Sequence, residues 1–126
     1  MMHDAYEAFQ EGSRLLARGD AHAAAVVLER ACALEPEQGS IREALARAYF
    51  RSARFPESAA EFAKALEIDP VNDYAHFGLG LCALRTGDLE GALRNLRLAV
   101  VMKPDSEDYR NALADAEHRA AQERDA

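Results

Sequence analysis

Tryptophan is absent from this chain of 126 residues, and cysteine, proline and glycine are scarce, at two, four and seven residues. With so few prolines and glycines there is little to interrupt a helix, and the abundant Ala, Leu, Glu and Arg all have high helix propensity. The two cysteines, Cys32 and Cys82, fall in no metal-type spacing and lie at apolar positions, which indicates reduced core side chains. These shortages favour an all-α protein without a metal site.

Long apolar runs and basic clusters are also missing. No stretch of about 18 uncharged apolar residues occurs, and Met1 to Glu7 lacks the basic patch and apolar core of a signal peptide. No Lys/Arg cluster longer than a dipeptide offsets the net charge of −7, which would repel a phosphate backbone. We therefore expect a cytoplasmic protein that binds neither membrane nor nucleic acid, folded as a single domain over residues 1–126.

A 34-residue period organises the chain. Pro36, Pro70 and Pro104 are each 34 residues apart, and each closes the pattern Ala, two residues, a large aliphatic residue, one residue, Pro. Three columns of small residues and two columns of mostly large apolar residues share this period: Gly12, Ala46 and Gly80; Ala24, Ser58 and Ala92; Ala31, Ala65 and Ala99; Leu15, Tyr49 and Ala83; Leu28, Phe62 and Leu96. Interlocking large and small columns predict densely packed helices.

Each repeat has a turn signal at its middle, so each is predicted to be a two-helix hairpin. Gly19-Asp20 and Gly87-Asp88 suit a left-handed helix cap followed by a helix start, and Pro56 suits the first turn of a helix. The repeats span 5–38, 39–72 and 73–106, with a capping helix and tail in 107–126. The predicted helices are 5–18, 22–34, 39–52, 56–68, 73–86, 90–102 and 107–123, the last with an apolar face of Tyr109, Ala112, Leu113 and Ala116.

These columns resemble the tetratricopeptide repeat (TPR) family over about residues 5–106. The resemblance implies a right-handed superhelical α-solenoid, whose first helices line a concave groove that usually binds a peptide. Ala8, Arg42 and His76 stand where the family often has Trp, which suggests slightly looser contacts inside each hairpin.

Positions that face the groove in the family can be carried over residue by residue. In this sequence they are Tyr6, Phe9, Ser13, Leu16, Ala17, Ser40, Glu43, Arg47, Phe50, Arg51, Tyr74, Phe77, Leu81, Leu84 and Arg85, with Asp108, Asn111, Asp115 and His118 closing the end on the capping helix.

Aromatic side chains and arginines dominate this set. The pairs Tyr6 with Phe9 and Tyr74 with Phe77 would offer apolar anchors, although the terminal helices could bury some of these rings themselves. Arg47, Arg51 and Arg85 could grip a carboxylate or could be an ordinary solvated face. We expect a non-enzymatic adaptor or scaffold that binds a peptide with apolar anchors and an acidic group; the alternatives are a self-associating protein, such as a homodimer, or a fixed subunit of a larger complex.

Three more specific functions are disfavoured: recognition of chaperone tails, dinucleotide binding and metal binding. Family members that recognise acidic chaperone tails use Lys and Asn at positions that here are Phe9, Ser13, Ala44, Tyr74 and Gly78, so that clamp is missing. The segment from Gly78 to Ala83 fits the bare dinucleotide-binding pattern, but no strand precedes it. Asp115 and His118 lack further ligands for a metal. We expect no enzyme activity and no cofactor.

Overall fold

The computed structural model describes residues 4–126, and within them the chain forms seven α-helices. They are α1 (Ala5–Ala17), α2 (Ala21–Leu34), α3 (Gly39–Arg51), α4 (Phe55–Ile68), α5 (Asp73–Thr86), α6 (Leu89–Met102) and α7 (Glu107–Asp125). Every predicted helix is present, and each end lies within two residues of its prediction. The signal-peptide prediction rests partly on Met1–His3, which lie outside the described residues. Of the helices in residues 4–126, none is long and apolar enough to cross a membrane.

Short polar side chains begin five of the seven helices. Asp4, Asp20, Asn72, Asp88 and Ser106 each accept a hydrogen bond from the backbone N–H three residues later, which satisfies an N–H that has no partner inside the helix. The second helix of every hairpin ends two residues before one of the three periodic prolines, as the sequence predicts.

The turn inside each hairpin is closed by backbone atoms. The N–H groups of Asp20, Arg54 and Asp88 donate to the carbonyl oxygen five residues earlier at 2.8, 2.8 and 2.9 Å. The residue before each donor has positive φ: 81° at Gly19 and 83° at Gly87, but 60° at Ala53. In the second hairpin, Ala53 therefore adopts a left-handed backbone conformation. This conformation costs energy for a residue with a Cβ atom, whereas glycine adopts it freely.

Contacts divide the chain after Pro70 into two compact units, which are described separately. In the first unit, α1 packs on α2, α2 on α3 and α3 on α4. The backbone of α1 approaches α2 closely at Gly12, where an added Cβ would lie 2.5 Å from Cγ of the fully buried Leu28. The prediction of one domain over the whole chain stays a prediction.

The second unit contains α5, α6 and α7. Gly80 repeats the arrangement at Gly12, because a Cβ there would lie 2.5 Å from Cγ of Leu96. The helix α7 buries Tyr109 and Ala116 while most of its other side chains are exposed. The predicted small and large columns, and the one-sided burial of the capping helix, are confirmed.

One cross-helix position changes its chemistry from hairpin to hairpin. Arg42 Nη1 donates to Glu61 Oε1 at 2.8 Å in the second hairpin, and His76 Nδ1 lies 3.3 Å from Asn95 Oδ1 in the third. Both pairs are 19 residues apart in sequence. Arg42 and His76 are two of the positions where the family often has Trp, so polar pairs occupy this position in these two hairpins. The looser contact expected inside each hairpin stays a prediction.

Candidate functional site

The helices α1 and α3 of the first unit lie side by side and run in the same direction. Near their N-terminal ends, Tyr6 of α1 and Ser40 of α3 line one cavity. Near their C-terminal ends, Arg51 Nη1 of α3 donates a hydrogen bond to the Leu16 carbonyl oxygen of α1 at 3.2 Å. The first helices of two consecutive repeats therefore form a continuous face.

The cavity at the start of this face has a volume of about 510 Å³. It is lined by Asp4, Ala5, Tyr6, Phe9, Glu35, Gln38, Ser40 and Ile41. Tyr6 is 67% exposed, whereas Phe9 is half-buried and packs against the core of the unit. The structure thus brings together three residues of the predicted groove, Tyr6, Phe9 and Ser40. Asp4, Glu35 and Gln38 were not predicted, because they lie outside the helices to which the family positions were carried over.

The other end of the face carries two arginines. Arg47 is half-buried and Arg51 is exposed. Phe50 packs its ring against Phe55 of the same unit, edge to face, at a centroid distance of 5.1 Å. Ser13 and Glu43 are half-buried and Ala17 is exposed. Leu16 was predicted to face the groove, and this is wrong: its side chain is buried in the core formed by α1, α2 and α3.

In the second unit the predicted aromatic pair is largely engaged within the unit. Phe77 stacks on Tyr109 of α7 with ring centroids 4.6 Å apart, and Tyr109 is only 6% exposed. The Tyr109 hydroxyl donates to Asp73 Oδ2 at 2.6 Å, which fixes α7 to the start of α5. The capping helix therefore covers Phe77, the alternative that the sequence left open. Leu84 packs in the same cluster, and Tyr74 and Leu81 are half-buried.

The remaining predicted residues of the second unit are polar and exposed. They are Arg85 of α5 and Asp108, Asn111, Asp115 and His118 of α7. Asp115 forms an ion pair with Arg119 at 3.1 Å, one turn along the same helix. Within residues 4–126, no group of three His, Cys, Asp or Glu side chains could hold a metal ion.

A second, polar cavity of about 330 Å³ lies at α2, α3 and α4. It is lined in part by Glu29, Cys32, Arg42, Tyr49 and Glu61. The Tyr49 hydroxyl donates to Glu29, and Arg42 pairs with Glu61. Burial raises the pKa of the Cys32 thiol to about 11, and burial followed by the bond to Glu29 raises the pKa of Tyr49. Neither group is activated as a nucleophile, which would require a lowered pKa.

The dinucleotide-like pattern has a packing explanation. Gly78 and Gly80 lie inside α5, and Gly80 makes room for Leu96 of α6. A phosphate-binding loop would instead leave its backbone N–H groups free at the start of a helix, next to a strand. In the structure this segment is therefore part of a packed repeat helix.

Comparisons with known proteins agree with this architecture. A family model described as tetratricopeptide repeat matches residues 9–73 and 43–107. A TPR repeat-containing thioredoxin of Arabidopsis thaliana, TTL4, is 33% identical over 95 residues, which is 75% of this chain but 14% of that protein. The chain thus spans a small part of the relative's length.

Solved structures show the same fold. The Sgt2 TPR domain from Aspergillus fumigatus superposes with a TM-score of 0.90 at 19% identity, over 97% of this chain and 82% of that one. The first TPR domain of Spaghetti (RPAP3), bound to an HSP90 peptide of sequence SRMEEVD, superposes with a TM-score of 0.90 at 18% identity, over 94% of each chain.

Proposed function

The chain belongs to the tetratricopeptide repeat family, and from this premise we propose that it is a non-enzymatic, cytoplasmic protein-interaction module that binds a peptide segment of another protein. The proposed site is the face of α1 and α3 in the first unit. It begins at the cavity next to Tyr6 and continues along α3 to Arg47 and Arg51.

The main support for this proposal is the exposure of the Tyr6 side chain. Its ring is 67% exposed at a cavity of about 510 Å³, and its hydroxyl accepts a hydrogen bond from Gln10 Nε2 at 2.9 Å. Since the core does not use this ring, burial by a ligand would add apolar contact without a loss of packing in the free protein. Tyrosine is also one of the residues most often found at the centre of binding energy in protein interfaces.

Three of the last four residues of the peptide bound by the Spaghetti domain are acidic, and this chain departs from what such a tail requires. Of the five positions equivalent to the clamp in related domains, Ala44 is fully buried and Gly78 has no side chain. Phe9, Ser13 and Tyr74 carry no charge that could hold a terminal carboxylate. We therefore propose a ligand that is bound through an internal residue whose apolar part covers the Tyr6 ring, rather than a chaperone tail.

A random peptide library displayed on phage tests this function. Peptides enriched on the wild-type protein are synthesised, and their affinity for the wild type is compared by fluorescence anisotropy with their affinity for Tyr6→Ala. We expect at least about a tenfold loss of affinity, because the substitution removes the exposed ring without changing the charge of the cavity. The Tyr6 side chain is 67% exposed and Ala has a high helix propensity, so the fold should survive.

Val26→Ala is the matched control, since Val26 lies on α2, is 67% exposed like Tyr6, and does not line the cavity. It should bind every selected peptide as the wild type does. Selected peptides that bind Tyr6→Ala as well as the wild type would refute the proposed site, and failure to enrich any peptide would refute the function.

A further inference from the structure

The cavity at the start of α1 and α3 is acidic as well as aromatic. The carboxylates of Asp4 and Glu35 line it, and no Lys, Arg or His does so among the residues that the structure describes. Asp4 Oδ1 accepts a hydrogen bond from the Glu7 N–H at 2.8 Å, so its charge faces the N-terminus of α1. Glu35 directly follows the last residue of α2 and forms no ion pair with any of residues 4–126. The partial charges of the helix ends are of both signs here, negative at the C-terminal end of α2 and positive at the N-terminal ends of α1 and α3, so the acidic character of the cavity comes from the two carboxylates.

The aromatic rings suit a cation with an apolar stem. Tyr6 and Phe9 offer ring faces, over which an ammonium or guanidinium group is attracted electrostatically. The methylene groups of Lys or Arg would cover the same rings while the charged end remains near the carboxylates. An acidic side chain would instead meet two like charges.

The opposite end of the face has the opposite sign. Arg47 and Arg51 lie on α3, and Arg51 uses Nη1 to hold the Leu16 carbonyl oxygen, which orients its guanidinium on this face. Arg47 forms no ion pair with any of residues 4–126. The guanidinium group has five N–H donors, so Arg51 retains further donors for a carboxylate.

The distance from the Tyr6 cavity to Arg47 and Arg51 sets how many residues separate the two charges of the ligand. Ser40 at the cavity precedes Arg47 by seven residues and Arg51 by eleven, which at about 1.5 Å per residue is roughly 10 to 16 Å along α3. An extended peptide covers about 3.3 Å per residue. We propose that the ligand of the proposed site is an extended peptide with a Lys or Arg in the Tyr6 cavity and an Asp or Glu about three to five residues away at Arg47 and Arg51. This inference rests on the proposed function and adds the charge pattern of the ligand.

A small-molecule titration tests the acidic end directly. The probes are n-butylammonium and butanoate, which share a carbon chain but differ in charge, and the readout is the chemical shift of the Tyr6 and Phe9 ring protons. We expect a saturable shift with n-butylammonium only. Glu35→Gln should weaken that binding by about two- to fivefold, the range for one exposed ion pair.

Glu37→Gln is the matched control, because Glu37 is an exposed neighbour in the same turn that does not line the cavity. It removes the same charge and should leave the titration unchanged. Equal shifts with butanoate, or equal effects of both variants, would overturn the assignment of a cation site.

The phage library then tests the spacing and separates the two proposals. Peptides selected on the wild type should carry a basic and an acidic residue about three to five positions apart, and Glu35→Lys should abolish the preference for the basic one. Peptides that depend on Tyr6 but show no such pair would overturn this inference and leave the proposed function standing. Absence of any enriched peptide would overturn both.

Discussion

The first and second hairpins of the first unit follow the same 34-residue plan but join their helices with different chemistry. At the position where Arg42 and Glu61 form an ion pair across the second hairpin, the first hairpin has Ala8 and Val27. The turns of both hairpins are nevertheless closed by the same backbone hydrogen bond at 2.8 Å. The repeat geometry therefore depends on backbone and packing, while the crossing side chains can be apolar or ionic.

The largest expected change in stability comes from replacing Arg42 and Glu61 by the residues of the first hairpin. The side chains of Arg42 and Glu61 are only 14% and 10% exposed, so Glu61→Val should destabilise the protein by about 3 kcal/mol because it leaves a poorly solvated guanidinium without its carboxylate. The double variant Arg42→Ala, Glu61→Val transfers the pair of the first hairpin and should return to within about 1 kcal/mol of the wild type. Urea denaturation measures both. A double variant as unstable as the single one would show that the second hairpin needs its ion pair.

The second largest change in stability is expected at Gly12, in the column of small residues. Gly12 faces Leu28 in the first hairpin, whereas the second has Ala46 and Phe62, all fully or almost fully buried. Gly12→Ala should destabilise by about 1 kcal/mol or more, since the new Cβ meets Leu28 and outweighs the gain in helix propensity. In a Leu28→Ala background the same substitution should stabilise, which gives a coupling energy of about 2 kcal/mol from the double-mutant cycle. Additive effects would mean that Leu28 moves aside without cost.

Substitutions in the turns should change the free energy of unfolding least, and in opposite directions in the two hairpins. Ala53 has φ of 60° and Gly19 has φ of 81°. Ala53→Gly should therefore raise the free energy of unfolding by up to about 1 kcal/mol, and Gly19→Ala should lower it by about 1 kcal/mol. No heavy atom beyond Gly19 and its two chain neighbours lies within 4 Å of a Cβ built on Gly19, so Gly19→Ala would report backbone strain alone. Urea midpoints that shift in the same direction for both variants would contradict this explanation.

Most of the fold could be predicted from the sequence because its signals are local and repeat. The periodic prolines fix where each second helix ends, and Gly19 and Gly87 mark turns whose backbone conformation requires positive φ. The column of Gly12 and Gly80 indicates close helix approach without knowledge of the partner side chain, and Leu28 and Leu96 then fill the space.

The site was less predictable because it depends on which side chains meet across long sequence separations. Phe77 and Tyr109 are both aromatic residues on helix faces, but only the folded chain shows that they stack. Glu35 belongs to a connection between helices, and its role at the cavity follows from the placement of α1 beside the end of α2. Leu16 lies on α1 one residue before the exposed Ala17. Whether the Leu16 side chain enters the core or faces the groove depends on how α2 and α3 pack against α1.

The backbone closure of the hairpin turns has a consequence for how this protein can diverge. Because the closing bond uses N–H and carbonyl groups, Asp20 and Arg54 hold equivalent turns despite their opposite charges. The Asp20 side chain also caps α2, whereas the Arg54 side chain does not cap α4, so the backbone bond alone is common to the two turns. The residue before each donor adopts a left-handed backbone, and Ala53 shows that it need not be glycine. The charge at such a turn can therefore be exchanged while the backbone bond that joins its two helices is kept.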